Sequence, residues 1–220
     1  MRTCPILPRM PFGRPLPLRF YTRDARRVAA ELIGCRILHR LEDGERLVVR
    51  ITEVEAYLGE GSDPASHAHL GPTARNRSMF GPAGRLYTYR SYGIHTCVNV
   101  VCETKGRAAA VLLRAAEPIE GHDRMSQHRG LCADANPALI AVGPGRLAQA
   151  LGLRVEDDGQ SLLRSPLTLH PPEPATAPQR VDRGPRVGIT KASDLAYRFF
   201  ESESDWVSTF RRGAPKRHAP

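Results

Sequence analysis

Two glutamates, Glu53 and Glu55, followed by Tyr57, are the residues of this 220-residue chain best suited to acid–base chemistry. They close the run Leu47 to Tyr57, whose composition predicts a strand. Strand side chains alternate, so Leu47, Val49 and Ile51 are expected to share a face with Glu53, Glu55 and Tyr57. An aliphatic face that runs out into carboxylates makes a poor core and a good pocket lining. Burial raises a carboxyl pKa, a neighbouring arginine lowers it, and a carboxylate tuned in this way activates water. The plainer reading is that both glutamates are ion-pair partners for some of the 32 lysines and arginines.

Beyond Asp63 no acidic residue occurs until Glu103, and that run carries Arg75, Arg77, Arg85 and Arg90, three histidines and three of the six tyrosines. With a net charge of +9 and a pI near 9.8, the chain favours a polyanionic partner. Tyr92 sits at the tip of an expected hairpin, where a large ring is suited to wedging into a base stack. Tyr57 and Tyr89 are placed to sandwich a planar ligand, although strand tyrosines such as Tyr87 and Tyr89 commonly form cross-strand pairs. Asn99, among valines, either braces backbone or reads a ligand edge. Arg114 closes the aliphatic run from Ala108 and is expected to point at an anion such as Glu55. Arg146 follows Gly143-Pro144-Gly145 at a helix start, a phosphate site or a simple helix entry. His67 and His69 lack a third ligand, and the five cysteines contain no CxxC pair, so no metal is expected and the thiols read as reduced.

The scaffold follows from pattern. Residues 1–18 read as an extended arm, Thr22–Gly34 as a helix capped by Thr22, and Arg36–Leu41 as a strand. Residues 59–84 read as a long loop rich in Gly, Pro and Ser, of a length that is usually functional or disordered. Leu86–Arg90 and His95–Cys102 pair as the hairpin, and Ala108–Arg114 is a further strand. A helix is expected from Glu117 to about Arg129, another after Gly143, and a short strand at Val187–Ile189. Residues 213–220 form a frayed tail. No apolar run approaches membrane-spanning length. The expectation is an α+β fold: one mixed domain, 19–212, with a curved, mainly antiparallel sheet, peripheral helices and a protruding β-hairpin.

The blocks VEAYLG (54–59), ARNRSMFGPAGRLYTYRSYGIHTCVNV (74–100), VLLRAAEP (111–118), GPGRLAQALG (143–152) and RVGIT (186–190) resemble those of the alkyladenine (3-methyladenine) DNA glycosylases, in the same order. The resemblance covers roughly residues 18–210, with a weaker match from Gly121 to Val142. It implies a monofunctional, cofactor-free enzyme that flips damaged purines out of duplex DNA and hydrolyses their N-glycosidic bonds. Expected lesions are 3-methyladenine, 7-methylguanine, hypoxanthine and ethenoadenine. Glu55 would be the general base, with Arg114 and the Val187 carbonyl holding the water. Tyr57, His67 and Tyr89 would hold the flipped base, and Asn99 would reject unmodified guanine. Tyr92 would fill the gap in the duplex, and Thr73, Arg75, Arg77, Met79, Ile94, His95 and Arg146 would meet DNA. A monomer acting in the cytoplasm at the nucleoid, or in the nucleus, is implied. The alternatives are a catalytically silent nucleic-acid module and a small-molecule hydrolase using Glu55 and His67.

Overall fold

The computed structural model describes residues 12–178 and 180–213. Most of the expected arm (1–11) and of the expected tail (214–220) lies outside them. What is described of the arm is packed: the Leu16 amide bonds the Leu169 carbonyl at 2.7 Å, and Phe12 lies beneath the guanidinium groups of Arg36 and Arg46.

The chain opens with a turn of helix, α1 (Leu18–Tyr21), and then α2 (Ala25–Leu32). The cap of α2 is Asp24, whose carboxylate accepts from the Arg26 amide; Thr22, the expected cap, instead ends α1. The stripe Ala25, Val28, Ala29 and Leu32 is fully buried, and Gly34 ends the helical segment at φ +84°. Among the described residues nine strands follow: β1 (Arg36–Arg40), β2 (Arg46–Tyr57), β3 (Leu86–Ser91), β4 (His95–Cys102), β5 (Ala109–Glu120), β6 (Leu163–Arg164), β7 (Leu167–His170), β8 (Val181–Gly184) and β9 (Arg198–Glu201). They form one curled antiparallel sheet in the order β3-β4-β5-β2-β1-β7-β6, with β9 pairing both β2 and β8. Helices α3 (His122–Arg129), α4 (Ala138–Ala141) and α5 (Pro144–Ala150) complete the α+β domain.

The sheet has two faces with different contents. Val54, Ala56, Leu86, Val98, Val100, Val111 and Leu113 point into the main core with α2 and the buried residues of α3 to α5. Tyr87, Val101 and Ala110 belong to a smaller cluster on the other face, with Met79 and Ala68. Strict alternation along β2 fails in the middle. Register shifts flank Glu53, leaving Thr52 on β2 and Arg114 on β5 without ladder partners. The core positions accordingly jump from Leu47, Val49 and Ile51 to Val54 and Ala56. This irregularity turns Glu53, Glu55 and Tyr57 to the face opposite the core, rather than leaving them as its continuation.

Two expected elements move. Glu117 to Glu120 are strand, not helix, because Glu117 and Glu120 pair across the sheet with Arg50 and Arg46 at 2.7 and 2.8 Å. The helix starts only at His122, after Gly121 at φ +86°. The strand here is Val181–Gly184, and Val187–Ile189, which follows Pro185 and carries Gly188 at φ +73° in its middle, is irregular.

Candidate active site

One line of residues crosses the non-core face. Tyr87 on β3 stands opposite Asn99 on β4, Asn99 opposite Leu112 on β5, Leu112 opposite Glu55 on β2, and Glu55 opposite Arg198 on β9. Above it lies a cavity of about 510 Å³, within the roughly 300–1,000 Å³ range of small-ligand sites. Tyr57, His67, Tyr87, Tyr89, Cys97, Asn99, Leu112, Arg114 and Val187 all line it.

Glu55 has no exposed surface and stands immediately behind the cavity wall. Its Oε1 accepts from the Val187 N–H at 2.6 Å. Its Oε2 accepts from the Tyr57 hydroxyl at 2.9 Å and lies 3.4 Å from Arg114 Nη1. Those three partners are themselves cavity-lining residues. Burial pushes the Glu55 carboxyl up; Arg114, the Val187 N–H and the Tyr57 hydroxyl pull against it without cancelling the shift. Burial also pushes the Tyr57 phenol well up, which keeps it a donor.

Glu53 is equally buried and does not line the cavity. It binds Arg114 Nε at 3.0 Å, Arg198 Nε at 2.6 Å and the Ser208 N–H at 2.8 Å. The two carboxylates expected to line one pocket thus divide: Glu53 anchors the arginine that Glu55 meets. The Asn99 amide donates to the Tyr87 carbonyl at 3.0 Å, so it braces backbone at the edge of the cavity.

The loop after β2 forms another wall. His67 Nδ1 is 2.9 Å from the Tyr87 hydroxyl, and the His67 ring meets Tyr89 edge-on at 4.6 Å. Burial and Arg75 push His67 down, favouring the neutral ring. The loop is fastened by Asp63, whose carboxylate takes both terminal nitrogens of the buried Arg186, at 2.5 and 2.8 Å. Arg186 also lies 4.6 Å over the Tyr57 ring. Among the described residues no three His, Cys, Asp or Glu side chains come together to hold a metal ion.

The hairpin tip stands out in solvent. Tyr92, at φ +51°, is 90% exposed and Ile94 is 70% exposed. Thr73, Arg75, Arg77, His95 and Arg146 are also exposed. Arg75 donates to the Arg90 carbonyl and lies over the Tyr89 ring. Met79 differs from expectation: it is buried against Tyr87 and Val101 and reaches the cavity, not the outer surface. Arg146 lies in the first turn of α5, where a side chain on Gly145 would strike His95, so helix and hairpin base are in contact.

Tyr87, read from sequence only as a cross-strand partner, and Cys97, Leu112, Asp63 and Arg186 were not assigned to the site from sequence. The first three carried a usable signal: each falls on the parity of Tyr89 and Asn99 or in register with Glu55. Asp63 and Arg186, 123 residues apart, carried none.

A family model for methylpurine-DNA glycosylase matches residues 19–205. A protein of Methanoculleus marisnigri provisionally named 3-methyladenine DNA glycosylase is 49% identical over 195 residues, 88% of this chain and 98% of that protein. Proteins with the same provisional name from Rhodopseudomonas palustris and Chlorobaculum parvum are 48% and 47% identical, covering 86% and 92% of this chain and 85% and 94% of their own lengths.

Proposed function

The chain belongs to the methylpurine-DNA glycosylase family and is a DNA glycosylase, an N-glycosyl hydrolase; from that premise we propose that it excises alkylated and deaminated purines from duplex DNA with a water activated by Glu55. Supporting this above all is the setting of Glu55: a desolvated carboxylate, held on both oxygens, one contact behind a cavity of purine-holding size. A duplex base is out of reach of such a cavity, so the lesion must leave the stack, and damaged, weakly paired bases cost less to extrude. Tyr92, exposed on a hairpin tip, is the residue suited to occupy the gap.

In the cavity the base is held by Tyr57, His67 and Tyr89. The water lies at the seam between Arg114 and the Val187 carbonyl, where the Arg114 contact to Glu55 is the longest of the three. Its oxygen bonds C1′ as the bond from C1′ to the purine nitrogen breaks, its proton passes to Glu55, and the bonding pair leaves with the purine. A cationic purine departs neutral. Hypoxanthine departs as an anion that must be protonated, so its release is the slower case. In this reading Asn99, which lines the cavity with its amide bonded to the Tyr87 carbonyl, obstructs the exocyclic amino group of guanine. Thr73, Arg75, Arg77, Ile94, His95 and Arg146 supply the exposed, mainly cationic or polar surface toward the duplex, in a chain acting as a monomer on nucleoid or nuclear DNA.

The test is base release from a duplex carrying 3-methyladenine or hypoxanthine, followed by alkali cleavage of the abasic site. Wild type releases the base; Glu55→Gln binds the duplex and releases none. Strand cutting without alkali would contradict the water mechanism, and binding without release by wild type would identify a silent DNA-binding module.

A further inference from the structure

We infer that Arg186 is a positioning residue for base excision: paired with Asp63 and stacked on Tyr57, it holds the Tyr57 hydroxyl and the Val187 N–H on the two oxygens of Glu55. The inference rests on the reading of Glu55 as the general base.

Arg186 is 1% exposed, and its contacts join separate stretches of chain. Its terminal nitrogens take both oxygens of Asp63, and one of them also donates to the Ala56 carbonyl at 3.1 Å. The flat face of the guanidinium lies 4.6 Å from the centre of the Tyr57 ring and 5.4 Å from that of Tyr197. Asp63 in turn accepts from the Leu58 and Ala65 amides at 3.2 and 3.1 Å. One ion pair therefore ties the end of β2, the loop bearing Ala65 and His67, and the irregular stretch that begins at Val187. All of these stretches reach the cavity.

A buried ion pair gives little stability over an apolar substitute, so stability alone is a poor account of it. What it does is geometric. Two of the three groups on Glu55 depend on it directly: Tyr57 through the stacked ring, Val187 through the adjoining peptide. Only arginine offers a planar fork that pairs bidentately and stacks at once. A misplacement of about 1 Å at such a distance from the chemistry costs roughly 100-fold in rate.

The groups facing Glu55 set what a loosened Arg186 would do. They are Glu53 and Tyr57 from β2, Arg114 from β5, Tyr89 from β3, Cys97 from β4, Arg198 from β9 by way of Glu53, and the Val187 N–H with Arg186 itself. Losing the Val187 and Tyr57 donors leaves burial and Glu53 opposed by Arg114 alone, so the carboxyl rises further.

The experiment is single-turnover release of hypoxanthine from duplex DNA over a pH series, with the active fraction taken from the reaction amplitude. Wild type, Glu55→Gln, Arg186→Lys and Asp63→Asn are compared, and affinity is measured on a duplex carrying an abasic-site analogue. Arg186→Lys and Asp63→Asn are expected to keep wild-type affinity, lose roughly 10- to 100-fold in rate per active site, and show an acid limb moved to higher pH. A wild-type rate, or a reduced amplitude with an unmoved limb, overturns the inference. So does failure of both variants to fold, which would assign the pair to the fold alone. If wild type releases neither hypoxanthine nor 3-methyladenine, the reading of the reaction fails and carries this inference with it. Glu55→Gln retaining wild-type release has the same consequence.

Discussion

The Val187 N–H donates to Glu55 Oε1 at 2.6 Å across 132 residues of sequence, so the carboxylate of β2 is held by a stretch of chain with no regular structure of its own. That donor, the Tyr57 hydroxyl and Arg114 oppose the desolvation of Glu55 without overcoming it.

A pH dependence follows. A general base must be ionised, and the Glu55 pKa is raised above its ordinary 4.5, so base release should climb with pH along a limb displaced upward from that value. Stability runs the other way. A raised folded pKa means that the fold holds a proton the unfolded chain releases, so the Glu55 contribution is fullest below 4.5 and is lost as pH rises through the raised value. Glu55→Gln should remove the rate limb and narrow the fall in Tm over the same interval, read by single-turnover kinetics and thermal melts.

Glu53→Gln should behave unlike Glu55→Gln. Glu53 neutralises parts of two buried arginines, Arg114 and Arg198, and removing one member of such a network costs about 3–5 kcal/mol. The expected result is a large loss of stability in chemical denaturation, with residual activity in whatever fraction stays folded. A stable Glu53→Gln protein with no activity would reverse the division of labour between the two glutamates.

Tyr92→Ala should leave the fold intact, because an exposed ring at a hairpin tip changes stability by roughly 0.5 kcal/mol or less. Lesion-duplex affinity should fall by about 10-fold or more, the scale of a wedge that offsets a few kcal/mol of unstacking. Equilibrium binding to an abasic-analogue duplex beside a single-stranded control separates this from a general loss of affinity: only the duplex should suffer.

Arg77→Ala should weaken binding to every duplex alike. Arg77 is exposed. If its charge meets phosphate, the slope of log Kd against log salt should flatten by about 0.9. An unchanged slope would take Arg77 off the DNA-facing surface.

Much of this architecture was readable because local pattern and global fold agree. The apolar stripe of α2, the tyrosine hairpin and the paired strands each bury what their periodicity says they should. Tyr57, His67, Tyr89, Asn99 and Arg114 line one cavity with Glu55 behind its wall. Parity and register account for Tyr89 and Asn99, whereas Glu55 and Tyr57 reach that face through the irregularity of β2, His67 through the loop after it, and Arg114 from the unpaired position of β5. The errors arose where a long-range pair overrode a local signal. The segment from Glu117 reads as the start of a helix until Arg50 and Arg46 claim Glu117 and Glu120 across the sheet. The unpaired Thr52 breaks an alternation that looks continuous. Asp63 and Arg186 carry no site role in the sequence, since the meaning of either lies only in the other.

The placement of Val187 and Ser208 on the two glutamates also has a bearing on time. Chains are synthesised from the N-terminus, and domains fold as units when enough sequence has emerged. The meander from β2 to β5 holds both carboxylates, yet the N–H groups that cap them come from residues 187 and 208. Both carboxylates therefore lack a backbone cap until the chain beyond β8 has joined the sheet, so a truncation before Val187 removes the caps of Glu55 and Glu53 together.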